Sequence, residues 1–333
     1  MLRTRLRSLL PPFALLPVFA LVPLLAPALA VAAPADPVAV SVRPKVGSIV
    51  RFRTTLAQEQ INETRGIEVV TAWATTQSLS LRVLGRGDDD VSQAELTFDR
   101  IRGRMQLAAE QEVAFDSSLP IEPHENATIA AVVRLKTVMA GKAFPMHLSP
   151  MGKVSDVERF AAVMKTSIEE ARAAAPELGA LLDESVALAT DEHAASVFQG
   201  LFAPLPTRGL EIGDTFASDA PMHVCLGGHS CIPFEQRLTL TAADDDTVTF
   251  AAEGKLGDEL RTALETGVND LRLTSSKVDG VYVVDRHDGL PRSLDWRIVL
   301  ELDLASGKSR VHQTRTVIAR SERATDDEAT PAK

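Results

Sequence analysis

The segment SLDWRIVLELDL, residues 293–304, is the strongest periodic signal in the chain and the one that most limits its fold. Leu294, Trp296, Ile298, Leu300, Leu302 and Leu304 fall on one face of a two-residue repeat. Asp295, Arg297, Glu301 and Asp303 fall on the other, with Val299 the exception. A helix would scatter these residues around its axis, whereas a strand with one buried and one wet face collects them. ASGK then turns the chain, and SRVHQTRTVIARS runs back. Upstream, LRLTSSK and GVYVVDR are expected to pair across VDG, with HDGLP turning into the long strand. The expectation is an antiparallel meander with one solvated face.

The same period governs the N-terminal part. IVRFRTTL, EVVTAWATTQSLSLRVL and SQAELTFDRIRGRMQL alternate apolar and polar residues, broken by turn formers such as GRGDDD at 85–90. At Ser155 the period lengthens. SDVERFAAVMKTSIEEARAAA opens with a candidate capping box, Ser155 and Glu158, and sets Val157, Phe160, Val163, Met164 and Ile168 on one stripe. Pro176 ends that helix. Shorter helices are expected in PELGALLDESVALA and DEHAASVFQGLF, and Pro204 and Pro206 return the chain to strands. The fold class is therefore α+β and mostly β. Two antiparallel, meander-like sheet regions, 33–154 and 204–321, bracket a helical segment at 155–203. The tail, residues 322–333, has too few apolar residues to order itself. KVGSIV at 45, MAGKAF at 139 and EIGDTF at 211 each set a glycine before an apolar strand, which suggests two related β halves.

The first residues predict an address. MLRTRLRSLL carries three arginines and no acid, an apolar run follows, and ALAVAA supplies small residues at an A-x-A cleavage site. The run approaches the ~20 residues that cross a bilayer. Pro11, Pro12, Pro17, Pro23 and Pro27 interrupt it, so the reading is a cleaved signal peptide at 1–32, with no span in the mature chain. Cleavage after Ala30 or Ala32 leaves Val31 or Ala33 first, and the product is expected to be exported, periplasmic or secreted, and soluble. Loss of Arg3, Arg5 and Arg7 takes the net charge from −10 to −13. So acidic a surface excludes nucleic-acid partners, whose phosphates require a basic footprint. The about 300 remaining residues can bury a large core.

Export governs HVCLGGHSC, residues 223–231, which holds both cysteines. Outside the cytoplasm two nearby thiols oxidise, and Gly227 and Gly228 can take the backbone a small closed loop needs, so a Cys225–Cys231 disulfide is expected. The alternative is a metal site of His223, Cys225, His229 and Cys231, four donors of the zinc type at a spacing unlike the standard zinc patterns.

Other chemistry is sparse. There is no G-x-S-x-G elbow, no H-E-x-x-H and no glycine-rich phosphate cradle, so no catalytic residue and no cofactor is assigned. Asp285, His287 and Asp288 could be drawn as a proton relay, but D-R-H-D-G between strands is first a turn. The aspartate runs 88–90 and 244–246 lack the glycine and distal glutamate of a calcium loop.

Several positions carry a resemblance: Gly152 and Val154 in FPMHLSPMGKV; Pro204, Leu205, Pro206, Gly213 and Asp214 in PLPTRGLEIGDTF; Asp285 and Gly289 in the late hairpin. Together they resemble a family of exported bacterial β-rich proteins of unknown function, with Phe216 where that family has tryptophan. The resemblance implies an envelope location and a β-rich fold over most of the mature chain, and no catalytic site. Three function classes follow. The first is a binding or carrier module for an apolar ligand, with helices 155–202 as a lid over a trough. The second is a structural or interaction protein of the envelope, whose helices simply cover the core and whose partner is another envelope protein. The third is an enzyme, for which no constellation of residues speaks.

Overall fold

The computed structural model describes residues 37–107, 111–120, 127–179, 182–183, 186, 189–219, 221–225, 231–266, 271–306 and 309–324. The expected signal peptide, His229 and most of the expected tail lie outside them.

Among the described residues thirteen strands carry the fold: β1 Ile49–Thr64, β2 Ile67–Arg86, β3 Ser92–Leu107, β4 Gln111–Asp116, β5 Ala143–Leu148, β6 Val154–Ser155, β7 Thr215–Ala217, β8 Met222–Cys225, β9 Cys231–Ala243, β10 Thr247–Lys255, β11 Leu271–Asp285, β12 Pro291–Ser306 and β13 Ser309–Arg323. Eleven of them hydrogen-bond in the order β6-β5-β3-β2-β1-β13-β12-β11-β10-β9-β7, with β4 beside β3 and β8 beside β9. All these pairs are antiparallel.

This corrects the expectation of two sheet regions. Each meander ends on a long strand whose outer edge would expose a row of unpaired N–H and C=O groups. Those two strands, β1 and β13, pair with each other from Phe52↔Arg323 to Glu63↔His312, so the two regions become one sheet. β13 runs to Arg323, two residues past the expected end of the second β region at 321.

A second correction concerns VDG. LRLTSSK and GVYVVDR do not fold back on each other; they form one continuous strand, β11. Gly280 sits mid-strand opposite Trp296 of β12, and a Cβ there would lie 2.6 Å from Trp296 Cδ2 and 2.8 Å from the Asp295 carbonyl oxygen. Glycine here makes room for an indole laid across the strand, which is a reason for glycine other than a turn. Tyr282, next on the same face, meets Trp296 edge-on with ring centroids 5.7 Å apart.

The three glycines of the repeated hexapeptide motif do share a geometry. Gly47, Gly141 and Gly213 all have positive φ (83°, 71° and 98°), and each donates its N–H to a neighbouring strand, at Val83, Phe98 and Leu240 respectively. Each is a turn feeding a new strand onto an existing one.

Among the described residues the α-helices with defined bounds are α1 Ala127–Thr137, α2 Phe160–Ala174, α3 Asp191–Gln199 and α4 Asp258–Thr266. α1 and α4 lie inside stretches expected to be wholly β. In α1 the β-branched Ile129, Val132 and Val133 read as strand formers, and three of its residues with large or small apolar side chains, Ile129, Ala131 and Val133, are buried. The capping box does not form either. Ser155 is taken into β6, opposite His147, and Arg159 in a left-handed conformation precedes the helix. Asp191 caps α2 from outside instead, its Oδ1 accepting the Ala161 N–H at 2.8 Å. α3 is capped locally, with Thr190 Oγ1 accepting the His193 N–H at 3.0 Å.

The core lies between the helices and one face of the sheet, and a single cluster of buried apolar residues joins both halves. Within it Phe98 of β3, Phe144 of β5, Phe160 of α2 and Phe198 of α3 form a knot of rings with centroids 5.7–6.0 Å apart. Such pairs add to the area term and fix how the helices sit on the strands. The alternating face of β12 behaves as expected: Leu294, Trp296, Ile298, Leu300 and Leu302 are all buried.

Candidate functional site

The residues carrying the family resemblance gather at one end of the sheet and serve architecture. Gly152 and Gly289 have positive φ (75° and 71°), and a Cβ on either would collide with backbone, the Ala203 oxygen at 2.3 Å and the Ser41 oxygen at 2.2 Å. An extended N-terminal segment is laced across these turns. Val42 donates to Pro150 O and Arg43 to Asp288 O, both at 2.8 Å, while Val38 and Leu210 exchange backbone hydrogen bonds. Leu205 donates to Met151 O at 2.9 Å, and Asp214 Oδ2 accepts the Glu211 N–H at 3.1 Å, closing its turn.

Asp285, His287 and Asp288 do not form a relay. Asp285 is buried, accepts the His287 backbone N–H at 2.8 Å, and pairs with Arg292 Nε at 2.9 Å and Arg323 at 3.5 Å. Asp288 pairs with Arg323 at 2.7 Å, and the His287 ring turns away to Asp246 at 3.1 Å. Burial alone would raise the Asp285 carboxyl; the His287 N–H and the Arg292 and Arg323 guanidinium groups outweigh it and hold it below the usual range. This is an ionic clasp joining β11, β12 and β13. The other histidine–carboxylate pairs, His147–Asp156 and His312–Asp303, also sit at the surface. The described residues contain no group of three or more His, Cys, Asp and Glu able to hold a metal.

His223, Val224 and Cys225 lie on β8 and Cys231 opens β9, with Cys225 and Cys231 register partners. The loop between them, LGGHS, is outside the described residues. Opposed residues of an antiparallel ladder have Cα atoms about 4.5–5.5 Å apart, inside the span a disulfide accepts.

A mostly apolar cleft of about 380 Å³ lies between α3 and the helix-covered face of the sheet. Its walls come mainly from six adjacent strands, with Gln236 added from β9. Phe98 is from β3, Trp73 from β2, Leu56 from β1, Val317 and Ala319 from β13, Trp296 and Ile298 from β12, and Tyr282 from β11. Met139, Met222 and the α3 end from Ser196 to Leu201 complete it. These side chains share a face because paired residues in register point the same way: Leu56 opposes Ala319, and Ala319 opposes Trp296. Polar groups inside are few. Thr54 Oγ1 donates to Ser321 Oγ at 3.0 Å, and the Tyr282 hydroxyl donates to Gln236 Oε1 at 3.2 Å. Burial pushes the Tyr282 phenol well above its usual range, with the Trp296 indole N–H acting weakly in the opposite sense, so the hydroxyl stays protonated. At one end Lys136 of α1 holds its ammonium 4.3 Å from the centroid of the Trp73 ring. Among the described residues, no nucleophile is paired with a base along these walls.

Sequence reading assigned no ligand residue, yet a signal was present. Trp73 and Trp296 are the only tryptophans, and both fall on the inward positions of alternating strands.

The chain belongs to the Family of unknown function (DUF6263), whose model matches residues 89–291. That span includes the turns at Gly152, Gly213 and Asp285 and the cleft residues Phe98, Met139, Gln199 and Tyr282. A search of curated proteins returned no match. Among solved structures, a lipovitellin from a study of its lipid–protein interactions aligns at a TM-score of 0.45 and 10% identity, covering 87% of this chain and 26% of that one. The present chain thus spans about a quarter of the lipovitellin chain. The translocator domain of the autotransporter NalP from Neisseria meningitidis aligns at 0.21 and 8% identity, covering 83% and 88% of the two chains. A DUF1329 family protein from Desulfovibrio piger ATCC 29098 aligns at 0.13 and 6% identity, covering 80% and 83%. No described helix is long and apolar enough to cross a membrane.

Proposed function

We propose that this is an exported, non-enzymatic protein that binds or carries an apolar ligand in the cleft beneath α3. The observation that carries the reading is the cleft itself. About 380 Å³ of space lined by Leu56, Phe98, Met139, Val317 and Ala319 is left open beneath α3, beside the buried core. Native interiors close such spaces, because unfilled apolar volume forfeits contact energy, and a pocket of this size lies within the ~300–1,000 Å³ range of small-ligand sites. The second reading, an envelope scaffold without a ligand, predicts a filled interface and has no use for the opening. Ala319→Trp tests the choice, since the indole would occupy the centre of the cleft. Wild-type protein purified from its own envelope should release an apolar compound on organic extraction, and the variant, folded to the same secondary structure, should release none. An empty wild-type protein would favour the scaffold.

Export and the disulfide belong to the same proposal, supported by the basic-then-apolar N-terminus and by the Cys225↔Cys231 register. One intact-mass measurement on the unreduced mature protein checks both. The mass should correspond to a chain starting at Val31 or Ala33 and be lower by two hydrogens, which reduction restores. A chain retaining Met1 would overturn export, and an unchanged mass on reduction would overturn the bond and return His223, Cys225, His229 and Cys231 to consideration as a metal site.

A further inference from the structure

We infer that the cleft takes a single-chain amphiphile ending in a carboxylate, with its head group at Lys136 and its chain lying across the strands towards Trp296. This rests on the cleft-binding reading and adds to it the class of ligand and its direction.

Shape comes first. Most strand residues of the lining come from β3, β2, β1, β13, β12 and β11, six neighbours in the sheet, with Gln236 of β9 and Met222 of β8 beyond them. At ~4.8 Å between strands the cleft is roughly 20 Å long. A volume of about 380 Å³ spread over such a length leaves the cross-section of one extended hydrocarbon chain. A two-chain lipid would not fit inside it.

Charge sets the direction. At the β11–β12 end the walls are Tyr282, Leu294, Trp296 and Ile298, and the cation that lines the cleft beside them, Arg320 of β13, is already neutralised, its Nε donating to Asp295 Oδ2 at 2.9 Å. At the β2–β3 end stands Lys136, its ammonium over the Trp73 ring that forms part of the wall. None of the carboxylates among the described residues lies within 4.0 Å of it. Burial lowers its pKa from that of an exposed lysine, the mark of a cation that has given up water for an aromatic face. A cation placed so, beside an apolar trough and with no carboxylate of the described residues against it, is complementary to an anionic head whose chain fills the trough.

Trp73 and Trp296, at opposite ends of the cleft, are the only tryptophans, so intrinsic fluorescence of the full chain reports its occupancy directly. Palmitate and hexadecanol, which share a chain and differ in the head, are the probes. Wild-type protein should bind palmitate about tenfold more tightly than hexadecanol, the increment of one charge-assisted contact. Lys136→Met should abolish that preference by weakening palmitate alone, and Lys136→Arg should keep it. Hexadecanol binding serves as the fold control for both variants. Equal binding of the two probes by wild-type protein, or a Lys136→Met variant that keeps the preference, would overturn the head-group assignment while leaving cleft binding intact. Failure of both probes to bind would remove the cleft-binding reading as well.

Discussion

Gly280→Val is expected to destabilise the protein by about 3 kcal/mol, the upper range for overpacking a filled site. Two ordinary effects favour the substitution: valine suits a strand better than glycine, and it restricts the unfolded chain. Sterics oppose it. The new Cβ would lie 2.6 Å from Trp296 Cδ2, 2.7 Å from Cε3 and 2.8 Å from the Asp295 carbonyl oxygen, so both an indole and a backbone must move. Trp296 is buried between Tyr282 and the cleft and has little room to shift. Urea unfolding of Gly280→Val, Trp296→Ala and the double variant separates the contributions. The double variant should recover about 1 kcal/mol relative to the sum of the singles, because the indole clash is gone, while the clash with Asp295 O persists. A stable Gly280→Val would mean that Trp296 does not lie across β11.

Asp285→Asn is the second large effect, with an expected loss of about 2 kcal/mol at pH 7. Breaking a fully buried ion pair costs ~3–5 kcal/mol, and the partial exposure of Arg292 and Arg323 brings that figure down. The carboxamide can still accept the His287 N–H, but it leaves two guanidinium groups facing each other without their shared anion. The pH dependence follows from the depressed pKa. A carboxyl held below its unfolded value contributes stability that is complete above the unfolded pKa of ~3.9 and disappears as pH falls through the lower folded value. The gap between wild type and variant should therefore stay constant from neutral pH down to about pH 5 and close in stronger acid. A gap that persists undiminished in strong acid would show that Asp285 acts through shape and not through charge.

Individual strands were legible in the chain because the two-residue period belongs to local geometry. β1, β2, β3 and β12 fall where alternation puts them, and the helices α2 and α3 where the period lengthens. Misreadings occurred where a distant neighbour set the local choice. VDG resembles a turn, yet Gly280 is small on account of Trp296, sixteen residues further on. Ser155 and Glu158 match a capping box, yet β5 draws Ser155 into a ladder and Asp191 supplies the cap. In α1 the β-branched residues favour strand locally, and packing against α2 and the sheet overrides that preference.

The candidate site was less legible than the fold. Its walls come from residues as far apart as Leu56 and Ala319, whose adjacency depends on β1 and β13 pairing. By itself the sequence determined which side chains of β1, β2, β3 and β12 face inward, the helices α2 and α3, and the glycine turns at Gly47, Gly141 and Gly213, since each depends on neighbours a few residues away. Only the tertiary structure decided that the two meanders form one sheet, that Lys136 stands over Trp73, and that a cleft stays open beneath α3. Those outcomes turn on strand order and register between segments more than 250 residues apart, and on how closely the helices approach the sheet, neither of which local periodicity encodes.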